Sequence, residues 1–179
     1  MYKKTALILF VLLFALSACT INGVPISIPT QRIQGSGDIT TETRNVSDFT
    51  QVDMQGIGNL TIEEGTKESL TITADDNLLQ YITTEVAGGA LKIGMEPNLS
   101  IDPTKPIEYK LTVKSLSSIT LSGFGDITAD KLSGDDLEVR LAGSGNITLG
   151  ELEGDVMLLR ISGFGDIDVD MLNVKEPTI

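Results

Sequence analysis

The chain is expected to be all-β, a parallel β-helix or β-solenoid with coils of about 20 residues and Gly-x-Gly-Asp/Asn turns. Three observations predict it. The pattern Gly-x-Gly-(Asp/Asn)-(Ile/Leu) occurs five times, at Gly35-Ser36-Gly37-Asp38-Ile39, Gly56-Ile57-Gly58-Asn59-Leu60, Gly123-Phe124-Gly125-Asp126-Ile127, Gly143-Ser144-Gly145-Asn146-Ile147 and Gly163-Phe164-Gly165-Asp166-Ile167. The last three are spaced by 20 residues, and repeats of that period belong to stacked architectures. Around them apolar residues alternate: Ile119 and Leu121, Val139 and Leu141, Leu159 and Ile161 before the turns; Ile127 and Ala129, Ile147 and Leu149, Ile167 and Val169 after them. A spacing of two is a strand face, and strands stacked coil on coil lie about 4.8 Å apart. Glycine suits corners that need positive φ and close stacking, while Asp or Asn can bond local turn amides. A helix is opposed by the glycines and by the lack of a 3.6-residue apolar stripe. A β-sandwich would also show short alternating strands, but would not need one motif at an unchanged spacing.

The elements follow in chain order. Residues 1–18 read as a lipoprotein signal peptide. Lys3 and Lys4 precede an apolar run, Ala6 to Leu16, that is too short to span a bilayer. Leu16-Ser17-Ala18-Cys19 looks like a lipobox, which makes Cys19 the expected lipidation site and the bilayer a partner through its acyl chains. The alternative is an ordinary secretory peptide that leaves a free thiol, a liability in an oxidising compartment. Thr20 is not the Asp that commonly retains lipoproteins in an inner membrane, so the outer membrane is expected where there is one. Residues 19–34, with Pro25 and Pro29, read as a lipidated tether, and residues 35–179 as one domain.

Within that domain the first half is irregular. Val46, Phe49 and Val52 precede the Gly56 turn; Leu60 to Ile62 and Leu70 to Ile72 read as strands around Glu63-Glu64-Gly65. Asp75 to Ile82 is expected to hold one helical turn capped by Asp75 and to close the coil. Glu85-Val86, Gly88-Gly89, Leu91 and Ile93 suggest a hairpin, and Pro97, Pro103 and Pro106 a loop before a strand at Tyr109 to Val113. Leu132, Leu152 and Leu172 each fill one more inward position of the repeats.

Composition removes several functions. The chain has no His and one Cys, so imidazole bases, Ser-His-Asp or Cys-His nucleophiles, Cys-based zinc sites and intrachain disulfides cannot be built. A formal charge of -12, more negative still without Lys3 and Lys4, argues against nucleic acid and anionic headgroups as partners. No cofactor is expected.

Candidate sites stand beside simpler roles. Asp126, Asn146 and Asp166 should stack in one ladder, and Asp166, Asp168 and Asp170 alternate on one strand, so oxygens could gather for Ca²⁺; such residues more often satisfy turn backbone. Arg140 and Arg160 share a phase near Glu138; a sugar-cleaving site would need grouped carboxylates beside them, and pairing with neighbouring carboxylates is the simpler role. Phe124 and Phe164 take the same corner position, with Ser144 between them. They could stack on sugar rings or on a partner chain, or pack over an adjacent turn glycine. The final coil, followed by Lys175, Glu176 and Pro177, is expected either to self-associate into a homo-oligomer or to be guarded by that tail.

The run Arg44-x-Val46-x-x-Phe49-x-x-Val52, the Gly56 to Ile62 turn and strand, Ala74-Asp75-Asp76-Asn77-Leu78-Leu79, Thr84-Glu85-Val86 and the repeated Gly-Ser/Phe-Gly-Asp-Ile together resemble the bacterial family called putative auto-transporter adhesin, head GIN domain, over about Gly35 to Leu172. The resemblance implies a right-handed β-helix with tight Gly-Ser-Gly turns, a shape distantly similar to pectin-lyase-like proteins, and a role in cell adhesion. The expected function is therefore a non-enzymatic surface-binding module whose partner is a glycan or protein. A structural or regulatory envelope lipoprotein, or a polysaccharide-active enzyme, are the alternatives.

Overall fold

The computed structural model describes residues 31–134, 136–154 and 156–174. These are all-β. The first strands are β1 (Gln31–Gln34), β2 (Ile39–Arg44), β3 (Gln51–Met54), β4 (Asn59–Glu64) and β5 (Ser69–Asp75), followed by a 3-10 turn at Leu79–Tyr81. Next come β6 (Ile82–Ala87), β7 (Ala90–Met95), β8 (Leu99–Asp102) and β9 (Glu108–Val113). The repeats supply β10 (Ser118–Leu121), β11 (Ile127–Ser133), β12 (Asp136–Leu141), β13 (Ile147–Gly154), β14 (Val156–Ile161) and β15 (Ile167–Val174). One open sheet has the order β14-β12-β10-β3-β7-β6 and the other β15-β13-β11-β4-β9-β5-β2, while β1 and β8 form a separate pair.

The 20-residue period of the sequence is the register of the strands. Ile119 pairs with Val139 and Val139 with Leu159 in one sheet, and Ile127 with Ile147 and Ile147 with Ile167 in the other, all parallel. Every inward apolar residue thus lies on its equivalent one coil away. The stack continues through segments remote in sequence: Val52 pairs with Ile119 and Leu60 with Ile127, and beyond them Leu91 pairs with Val52 and Tyr109 with Leu60. Between the sheets lies one core, which includes Met54, Leu60, Ile62, Leu111, Ile119, Leu121, Val139, Leu141, Ile147 and Leu149.

Parallel pairing does not extend through the whole chain, and here the expectation is corrected. The pairs β6 with β7, β5 with β9 and β2 with β5 are antiparallel. The hairpin read at Gly88-Gly89 is β6–β7. Both glycines have positive φ, 62° and 80°, the geometry of a two-residue turn that can join only antiparallel neighbours. After β4 the position beside it is occupied by β9, so β5 joins the far side of β9, and β2 then covers β5.

Two boundaries also change. Gln31–Gln34, expected as the end of the tether, is a strand in parallel register with Leu99–Asp102, and Gly35 donates its N–H to the Asp102 carbonyl at 2.9 Å. The ordered β-structure therefore includes the last four residues assigned to the tether. The helical turn near Asp75 exists as Leu79–Tyr81, but its N-cap position is Leu78 and no side chain caps it. Asp75 is instead a fully buried anchor. Its Oδ1 accepts from the Gly37 N–H at 2.7 Å and the Thr104 hydroxyl at 2.6 Å, and its Oδ2 from the Thr104 N–H at 2.9 Å. A carboxylate with three donors to satisfy it can be buried, whereas a helix cap on the surface would leave it in water.

Candidate functional site

Four of the five glycine motifs meet in one column at a corner where the two sheets join. Ile57, Phe124, Ser144 and Phe164 form successive parallel bridges. The Phe124 N–H donates to the Gly56 carbonyl at 2.9 Å and its own carbonyl accepts from the Gly58 N–H at 3.0 Å. Ser144 repeats this on Gly123 and Gly125 at 2.9 and 3.1 Å, and Phe164 on Gly143 and Gly145 at 2.9 Å each.

This ladder explains the sequence pattern. A Cβ on Gly123, Gly143 or Gly163 would fall on the carbonyl oxygen of Gly56, Gly123 or Gly143, and one on Gly125, Gly145 or Gly165 on that of Gly58, Gly125 or Gly145. Only the residue between the two glycines can carry a side chain on the corner. Phe124 and Phe164 place their rings there, 64% and 82% exposed, so neither is buried over a neighbouring glycine. Two strand spacings, about 10 Å, separate them, with the half-buried Ser144 between. Ile57, at the start of the column, is partly buried and packs on the core, and its carbonyl accepts from the hydroxyl of Tyr109 at 3.2 Å. Burial pushes that phenol well above its ordinary pKa.

The expected Asp/Asn ladder runs beside the aromatic column. Asn59 Oδ1 accepts the Asp126 N–H at 3.4 Å, Asp126 Oδ1 the Asn146 N–H at 2.8 Å, and Asn146 Oδ1 the Asp166 N–H at 3.2 Å. One oxygen of each of these side chains up to Asn146 is engaged with the backbone of the next coil, the structural role of a turn residue. Among the described residues no three Asp, Glu, His or Cys side chains come together to hold a metal ion.

Other expected residues lie elsewhere. The motif Gly35-Ser36-Gly37-Asp38 is outside the column: the Ser36 N–H donates to Asn77 Oδ1 at 2.9 Å, and the Asp38 carbonyl accepts the Asp76 N–H at 2.9 Å. Arg140 and Arg160 pair in register, and Glu138 Oε1 lies 2.8 and 3.6 Å from them. The hydrogen bond from Arg140 holds the Glu138 carboxyl below its usual pKa. Cys19 and the tail residues Lys175, Glu176 and Pro177 lie outside the described residues. Nothing in the spacing of Asp75 from Gly37 or Thr104 marks it in the sequence as their anchor.

Residues 48–170 match the family model described as "Putative auto-transporter adhesin, head GIN domain". Among solved structures, a "putative lipid binding protein" from Parabacteroides distasonis is 30% identical with a TM-score of 0.71, over 79% of this chain and 63% of that one. A "putative adhesin" from Parabacteroides merdae is 24% identical with a TM-score of 0.70, over 79% of this chain and 60% of that one, a likeness that bears on the fold alone. The chain thus spans about three fifths of the length of these two relatives. A search of curated proteins returns no match. Among the described residues no helix is long and apolar enough to cross a membrane.

Proposed function

The chain belongs to the head GIN domain family of putative auto-transporter adhesins, and from that premise we propose that it is a non-enzymatic binding module, exported and held on the cell envelope by a lipid on Cys19. The fold proposed with it is a right-handed β-helix, built from the coils that carry the 20-residue register and closed at its first end by the antiparallel strands. The observation that carries the binding role is the corner column, where Phe124 and Phe164 stand exposed on a backbone in which neighbouring positions can bear no side chain. Exposed rings on a rigid ladder lose little conformational freedom when they stack on a ligand, which favours flat apolar faces such as sugar rings or aromatic side chains.

The test uses the chain from Thr20 on an array of glycans, matrix proteins and phosphatidylcholine vesicles, reading both retained protein and degraded ligand. Vesicles are included because the relative from P. distasonis is described as lipid binding. Selective retention on a glycan or protein, lost at least tenfold in Phe124→Ser plus Phe164→Ser while circular dichroism is unchanged, is the expected result. Retention that the double variant keeps would move the site off the corner. No retention anywhere would favour an envelope scaffold, and degradation of the ligand would overturn the non-enzymatic reading.

A further inference from the structure

The corner column has two flanks, and they differ in charge. On the side of β11, β13 and β15 the turn glycines are followed by Asp126, Asn146 and Asp166. On the other side β10, β12 and β14 lead into the corner, and one row across their register is Thr120, Arg140 and Arg160. Alternation turns this row outward. Val139 and Leu141 are fully buried, while the side chains of Arg140 and Arg160 are 44% and 59% exposed. Between the row and the column the outward positions hold Ser122, Ala142 and Ser162, all exposed, and then the glycines. The surface beside the corner is therefore a shelf of small residues, with aromatic rings along one side and arginines along the other. Arg140 precedes Ser144 and Arg160 precedes Phe164 by four residues, about 13 Å of extended chain. A short oligosaccharide spans that distance.

The two arginines are not balanced by their surroundings. Arg140 donates to Glu138 Oε1 at 2.8 Å, and Arg160 Nε lies 3.6 Å from the same oxygen, so one carboxylate serves two cations. A guanidinium has several N–H donors in a fork that matches a carboxylate, and among the described residues neither arginine has another ionic partner. The next acid in the row, Asp53, is two strands from Arg140 and accepts from Ser122 and Gln55. In a chain of formal charge -12, adjacent arginines that share one glutamate mark a place where an anionic group is attracted, while the carboxylates of Asp126 and Asp166 repel it from the other flank. The shelf is also periodic. Its arginines stand one strand spacing apart, about 4.8 Å, and its rings two spacings, about 10 Å, on the same ladder. A polymer with a repeating unit meets such a ladder in register, which favours a glycan over an acidic peptide.

We propose that the corner takes an acidic glycan, a chain of uronate-type sugars whose ring faces stack on Phe124 and Phe164 and whose carboxylates pair with Arg140 and Arg160 in place of part of their contact with Glu138. This rests on the corner as the binding surface and adds the class of ligand. The full chain is titrated by calorimetry with oligosaccharides of hyaluronan, alginate and polyglucuronate, with the same sugars after carboxyl reduction, and with polyglutamate. At least one uronate glycan should bind about tenfold more tightly than its reduced form. Arg140→Gln with Arg160→Gln should remove that difference and Glu138→Gln should enlarge it, with the circular dichroism of the parent kept in both. No binding of any uronate glycan, or equal binding of the reduced forms, overturns the proposal. Tighter binding of polyglutamate overturns it in favour of an acidic peptide. Failure of the corner reading looks different: uronate binding then survives Phe124→Ser plus Phe164→Ser and is lost only with the arginines, which upholds the ligand class and moves it off the rings. A neutral glycan that needs the rings and not the arginines keeps the corner as the site and overturns the selection by charge.

Discussion

At the scale of single residues, two glycines with positive φ carry different loads. Gly145 has φ 135°, and a Cβ there would meet the Gly125 carbonyl; Gly37 has φ 90° and open space around it. Both substitutions by alanine pay the left-handed backbone cost of about 1–2 kcal/mol, but only Gly145→Ala adds overpacking of roughly 1–3 kcal/mol. Urea midpoints at constant m should therefore fall further for Gly145→Ala than for Gly37→Ala. Asp75 adds a pH dependence. Burial disfavours its charge, but hydrogen bonds from Thr104 and Gly37 outweigh this and hold the carboxyl below its ordinary pKa. A depressed folded value means the contribution is complete above the unfolded pKa of about 3.9 and is lost as pH falls through the folded one. Asp75→Asn should cost about 2 kcal/mol at neutral pH, because its amide cannot accept from every donor that the carboxylate satisfied. The gap from the parent should narrow below about pH 4. A gap that widens on acidification would contradict the assignment. The glycine pattern was legible because it repeats; the partners of Asp75 were not, because Gly37 and Thr104 meet it only after three distant segments are assembled.

At the scale of elements, the period predicted register and the structure shows how far that reaches. From β10 to β15 each strand lies beside its equivalent 20 residues away, so alternation in the sequence translates directly into an inside and an outside. The place of β3 and β4 next to β10 and β11 was half legible, since the Gly56 motif matches the others, but the 67-residue gap between Ile57 and Phe124 has no period to announce it. The antiparallel strands had less signal still. A β5 inserted between β9 and β2 obeys the same alternation as a parallel strand, and its direction depends on which edges are vacant when it arrives. Position in the stack, more than residue type, sets what each apolar side chain contributes. Leu141→Ala, in a fully buried site, is expected to cost about 3 kcal/mol. Ile161→Ala, one repeat further and half exposed, should cost less than about 1 kcal/mol. Urea denaturation of both decides it; equal losses would mean that Ile161 is as well covered as Leu141.

At the scale of the whole molecule, the repeats from β10 to β15 each pair with the equivalent strand of the next repeat, so stability is expected to accumulate repeat by repeat there. Removing residues 143–162 joins Ala142 to Gly163 and leaves every later residue in its original phase. That shortened chain is expected to fold with a lower urea midpoint and unchanged circular dichroism per residue. Deleting Thr148 alone should be far worse, because a one-residue slip sends Leu149 outward, puts Gly150 in its place and brings Glu153 to the inward position of Leu152. The formal charge of -12 disfavours the close approach of such molecules to one another. The corner column, with each glycine carbonyl seated against the glycine of the next coil, also imposes its lattice on the gene. Recombination that gains or drops the codons of one complete coil yields a protein that still folds, while the same event out of step yields nothing for selection to keep. The number of repeats is then what such an event can change, and the glycine corner what it has to leave intact.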